Sequence, residues 1–249
     1  PRGSLYPLLL SIAYTVAARQ SLPTALVDRL SQLMSEGKAG GRPPGGQHPT
    51  GGGERDWCTP EDIACLDNLE LAQTGTARTS SGVTLPSHEQ AWREIRGGAK
   101  TGHWVWYVWP ALEGVRNSQY PIFHMPSLNC ARALLLRPSL AGNLRSITAA
   151  AREHLEAGVP AESLFGAMYS YDIPKFQEAM TCFALAAAVN GDVAAHNEFL
   201  DALGALRAPL HTGVLHILAP QCHNKTFALW LSPTQASMRR VQERGGGGG

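Results

Sequence analysis

Between Lys100 and Pro110 the chain reads K-T-G-H-W-V-W-Y-V-W-P, which sets a lysine and a histidine beside a tyrosine and three of the chain's six tryptophans. Two kinds of chemistry suit such a block. The aromatic faces could wall a ligand pocket, with His103 as general acid or base. The same rings could instead be buried as a core, where each indole N–H needs only one partner. The core is the simpler reading, and His103 then serves as a structural histidine or as the cap of the helix that follows.

Other reactive residues fit no site pattern. His211, His216, Cys222 and His223 are neighbours in sequence, but their spacing matches no zinc motif, so no metal and no cofactor is expected. Ser163 and Ser170 lack the strand-turn-helix setting of a nucleophile elbow. Gly97, Gly98 and Lys100 lack the spacing of a phosphate loop. The net charge is +1 with Lys and Arg scattered, so no concentrated basic face points to nucleic acid. Five cysteines, an odd number, fit a reducing intracellular compartment, cytoplasm or organelle, better than a disulfide framework. Cys65, Cys130 and Cys182 sit in apolar helical patterns and read as core thiols.

The elements that would position these residues are helical. Leu5 to Gln20, and a second helix opened by Ser21 and Pro23, make an N-terminal hairpin. The apolar run Leu5 to Ala18 is shorter than the roughly 20 residues a membrane span needs, and it reads as a buried helix more simply than as a signal-peptide core. Gly37 to Gly53 is glycine, proline and a few polar residues, a flexible linker. Thr59, Pro60, Glu61 and Asp62 form a strong helix start, and the helix continues to about Gln73. Further helices are predicted from Ser87 to Arg96, after Ser127, from Pro138 or Ser139 until Gly158 stops the run, over Pro160 to Phe165, from Pro174 to Val189 with Asp172 as cap, after Asp192, and over Thr212 to Leu218. Val105 to Val108 is among the few segments that could be a strand. The class is all-α: a compact single helical domain, organised as hairpin 1–36, linker 37–58, helical domain 59–218, and a C-terminal extension 219–249 that contains Trp230 and ends in glycines. Pro1 in place of methionine is what a processed protein or a fragment would show.

The order of motifs resembles a known family. A-W-R-E-I-R-G-G-A-K-T-G-H-W-V-W-Y-V-W-P from Ala91, P-S-L-A-G-N-L from Pro138, S-L-F-G from Ser163 and D-I-P-K-F-Q-E-A-M-T-C-F from Asp172 together resemble the Rv1873-like superfamily, the domain of unknown function numbered 1810. Leu66 to Gln73 is similar to that family's opening helix, with Thr74 to Pro86 inserted after it, so the likeness covers about residues 62–218. It implies a compact helical domain whose recurrent polar positions fall here on Lys100, His103, Asp172, Lys175 and Thr181, beside Trp104, Trp106 and Pro110. Such a set would suit an anionic, nucleotide-like ligand, with rings stacking a planar group and lysines countering phosphate. The chain also departs from the family pattern. Ala111 stands for a glutamine, Ile173 for a second aspartate, Glu178 and Ala179 for two serines, Arg137 for a histidine and Cys130 for a glutamate.

Catalytic constellations tolerate little displacement. These departures therefore favour a non-enzymatic module, a protein-binding or structural unit of a larger assembly that docks through the N-terminal hairpin and the C-terminal extension. The rival reading is an enzyme or binder for an anionic ligand through His103, Asp172, Lys100 and Lys175. The sequence names no reaction.

Overall fold

The computed structural model describes residues 57–79, 81–117, 120–166 and 172–221, which fall within one compact unit. The predicted N-terminal hairpin, most of the linker and the extension carrying Trp230 lie outside the described residues. Among those described, the fold is all-α. Nine helices follow in order: α1 Pro60–Gln73, α2 His88–Arg96, α3 Val105–Val108, α4 Leu128–Leu134, α5 Pro138–Glu156, α6 Ala161–Phe165, α7 Asp172–Asn190, α8 Val193–Leu206 and α9 Thr212–Leu218. No helix in this part is long and apolar enough to cross a membrane.

Local chemistry starts most of these helices. Thr59 and Asp62 form a reciprocal capping box at α1: the Thr59 hydroxyl accepts from Asp62 N at 3.2 Å, and Thr59 N donates to Asp62 Oδ2 at 3.0 Å. The other Asp62 oxygen accepts the Ser127 hydroxyl at 2.7 Å, and Ser127 itself caps α4 by accepting from Cys130 N. Two helix starts are thus tied by one carboxylate. Ser87 and Asp192 cap α2 and α8. Each such cap is worth about 1 kcal/mol.

Helix α7 is the centre. Phe176, Ala179, Met180, Cys182, Phe183, Ala184, Leu185, Ala186 and Ala187 are all buried, so it is apolar nearly all round, as a helix with neighbours on every side must be. Around it pack α8, α4, α9, α3 and α6, while α5 lies against α8 and α2, and α1 against α4 and α3. The alanine run lets α8 approach closely. There the buried His196 donates from Nδ1 to the Ala184 carbonyl at 2.8 Å.

One expectation is overturned. Val105–Val108 is a single helical turn rather than a strand, closed by Trp109 N on Val105 O at 2.9 Å. The β-branched and aromatic residues favour a strand locally, but burial of the flanking Trp104 and Trp109 decides the backbone. Pairing between extended segments is limited, among the described residues, to the isolated bridges Arg78–Thr84 and Leu112–Met125.

Candidate functional site

The end of α2 prepares the aromatic block. Gly97 ends the helix, and Gly98 takes φ +83°, a conformation open to glycine without strain. The chain then turns so that Thr101 N, Gly102 N and Trp104 Nε1 all donate to Glu94 Oε2, at 2.8, 2.7 and 2.7 Å. A Cβ on Gly102 would stand 2.9 Å from both Glu94 Oε1 and Trp104 Cδ1, so the turn closes only around glycine. Burial alone would raise the Glu94 carboxyl pKa. The bonds from Trp104, Gly102, Thr101 and Gln90 outweigh it and hold the group below its ordinary value.

The block itself is mostly core. Trp104 and Trp109 are 0% exposed. The Trp109 indole donates to Thr148 Oγ1 at 3.0 Å, and its ring meets Phe165 and Phe176 edge-on. Tyr107 donates its hydroxyl to the Pro86 carbonyl, and burial pushes its pKa up. Trp106 is half-buried and stacks on Tyr120 with centroids 4.0 Å apart.

Of the residues singled out in sequence, the structure brings three together. Asp172, the first residue of α7, gives Oδ2 to Lys100 Nζ at 2.8 Å and Oδ1 to Lys175 Nζ at 2.9 Å. The Lys100 and Asp172 side chains are 1% and 5% exposed, and Lys175 is 22% exposed. The expected capping role of Asp172 does not hold, because its carboxylate serves the two lysines. Lys100 Nζ also lies 5.5 Å from the Trp104 ring centroid, a cation–π contact.

His103 and Thr181 are placed differently. His103 is exposed, and the cap position of α3 is occupied by Trp104. Thr181, further along α7, donates to the Gln177 carbonyl and accepts from His211 N at 3.0 Å.

A second polar group on α7 escaped sequence reasoning. Glu178 is buried and holds a two-point pair with Arg116, one of whose bonds, Nε to Oε2, measures 2.9 Å. His211 Nε2 stands 3.5 Å from Glu178 Oε1, while its Nδ1 accepts from Val214 N as the cap of α9. His124 is buried in the same field. Desolvation lowers its pKa, with Glu113, Arg116, Glu178 and Lys175 acting at longer range. The available signal was the three-residue ladder Asp172, Lys175, Glu178, Thr181 along a mostly apolar helix, which sets four polar side chains along adjacent turns. Its partners come from distant segments.

Two surface grooves among the described residues bear on the site. One of about 390 Å³ is lined by Gly114, Val115, Thr212, Gly213, His216 and Ile217, and one of about 300 Å³ lies between α5 and α8 by Arg145, Thr148 and Arg152. Neither is lined by Lys100, His103, Asp172 or Lys175. Among the described residues no cluster of three or more His, Cys, Asp or Glu side chains could hold a metal; Cys222 and His223 fall outside them.

An all-α domain with a salt-linked central helix and a buried tryptophan block is the class that these features define. The family described as a protein of unknown function, DUF1810, matches residues 76–204, more than half of the chain, and the chain belongs to that family. The match is narrower at both ends than the span 62–218 expected from the motifs. The chain is similar to the conserved hypothetical protein Rv1873 from Mycobacterium tuberculosis, at 26% identity, 57% coverage of this chain, 86% of that one, and a TM-score of 0.45. No curated protein matches it.

Proposed function

We propose that this chain is a non-enzymatic helical module that works by binding a protein partner, as a subunit of a larger assembly. The observation that carries the reading is the internal use of the residues a ligand would need. Both Asp172 oxygens are taken by Lys100 and Lys175, and both buried indoles, Trp104 and Trp109, donate to protein groups. A site built for a small anion keeps donors facing a cavity. Here a lysine that would meet phosphate is sealed against a carboxylate, with a tryptophan ring beside it.

The test is native mass spectrometry of the full chain purified gently from its natural source, read for bound polypeptides and for retained small molecules together. A polypeptide held in fixed stoichiometry, with no small molecule, is the expected result. A monomer that carries a phosphorylated compound, and loses it in the Lys175→Ala variant, overturns the proposal in favour of a ligand site at the α7 terminus.

A further inference from the structure

Cys65 on α1 and Cys130 on α4 each donate a thiol hydrogen into the other's segment. Cys65 Sγ lies 3.2 Å from the carbonyl of His124, in the lead-in to α4, and Cys130 Sγ lies 3.7 Å from the carbonyl of Asp62, one turn before Cys65 on α1. Asp62 and Cys65 are three residues apart and share a helix face, so the two sulfurs occupy one small buried space between the helices. The space is fixed from both sides: the Ser127 to Asp62 hydrogen bond pins the α4 start to α1, and Asn129 holds the Trp57 carbonyl at 3.1 Å. Neither thiol has a part in the α7 ion pairs.

We infer that Cys65 and Cys130 form a dithiol modification site, oxidised by hydroperoxides to a disulfide that locks α1 onto α4. In the first step one thiol gives up its proton and its sulfur attacks a peroxide oxygen. The O–O bond breaks, hydroxide leaves and takes that proton as water, and a sulfenic acid remains. The second sulfur then displaces the sulfenic hydroxyl, which leaves with the second thiol's proton as another water while the S–S bond closes. Two thiols lose two electrons and one hydrogen peroxide becomes two waters. Reduction by an external dithiol reverses it.

The neighbouring Cys65 thiol above all, and burial next, push the Cys130 pKa up, so the Cys130 sulfur stays protonated in the closed structure. Oxidation therefore waits on local opening of α1 and is slow compared with that of an exposed thiolate. Its product joins a helix outside the matched segment 76–204 to one inside it.

The experiment exposes the native full chain to hydrogen peroxide, then alkylates it in denaturant without reductant and digests it. The expected product is a peptide linking Cys65 to Cys130, with the intact mass lowered by two hydrogens, the change reversed by dithiothreitol and retained in Cys58→Ser. Both cysteines remaining fully alkylatable after the exposure would overturn the inference. So would a linked peptide that joins either one to Cys58 or Cys182 instead. The wild-type and Cys58→Ser chains carry the test, so it stands even if a serine at position 65 or 130 prevents folding.

Discussion

Lys100 and Asp172 meet at 2.8 Å where neither side chain reaches water. Two charges removed from solvent are costly, and their attraction offsets that cost only while both are present. The pair is thus a condition for the α7 terminus to sit where it does. Asp172→Asn removes the carboxylate charge that faces the buried Lys100 at 2.8 Å, and we expect a loss of about 3–5 kcal/mol in urea unfolding. Lys100→Met combined with Asp172→Leu restores part of it, because the fully buried charge is then gone and Lys175, partly exposed, can turn to water. A loss below about 1 kcal/mol in the single variant would mean that the pair is solvated in solution.

The tryptophans rank by what surrounds them. Trp109, fully buried among Phe165, Phe176 and Trp104, is expected to cost about 3–5 kcal/mol on truncation to alanine. Trp106, half-buried on Tyr120, is expected to cost clearly less. Chemical denaturation of the two variants side by side gives the order, and the reverse order would contradict the core reading of the block.

Helix starts were legible in sequence because a cap is a local event. Thr59, Ser87, Ser127 and Asp192 each sit one residue before a helix and bond within its first turn. Asp172 looked like another such cap. Its real partners depend on Lys100 arriving from a different segment, and nothing near Asp172 in the chain announces that. Val105–Val108 failed for the opposite reason: its residues have a clear local preference that the burial of Trp104 and Trp109 overrides. Glu178 was visible as a departure from the family pattern and as one step of the three-residue ladder, but its partners were not, since Arg116 and His211 reach it through tertiary packing.

Glu94 gives an acid-side test. Its folded pKa lies below the unfolded value, so its contribution is present above the unfolded carboxylate range, about 4.3, and is lost as pH falls through the lower folded value. In Glu94→Gln that acid-dependent part should vanish from the pH profile of unfolding. Tryptophan fluorescence should change at neutral pH, where the Trp104 indole then faces an amide in place of a carboxylate. An unchanged acid profile would show that the turn at Gly102 holds without the carboxylate.

His88, His124 and His196 act at milder pH. Desolvation comes first among the causes at all three and holds their folded pKa values below the ordinary one. Below about 6.5 the unfolded chain then binds protons that the folded chain does not, so stability falls as pH drops through this range. Unfolding free energies measured from neutral pH downward should show that slope, and His196→Phe should make it shallower. A slope unchanged in the variant would mean that His196 titrates alike in both states.

Cys65, Leu66, Leu69 and Ala72 of α1 are core residues, yet the family segment begins at residue 76; α9, whose Val214 and Leu218 are equally buried, begins after it ends at 204. The matched segment and the packed core are therefore different lengths of chain. A piece excised at the family limits would present the apolar flanks of α4 and α7 to water, and dissection of this protein has to keep α1 and α9 with the span it shares with relatives.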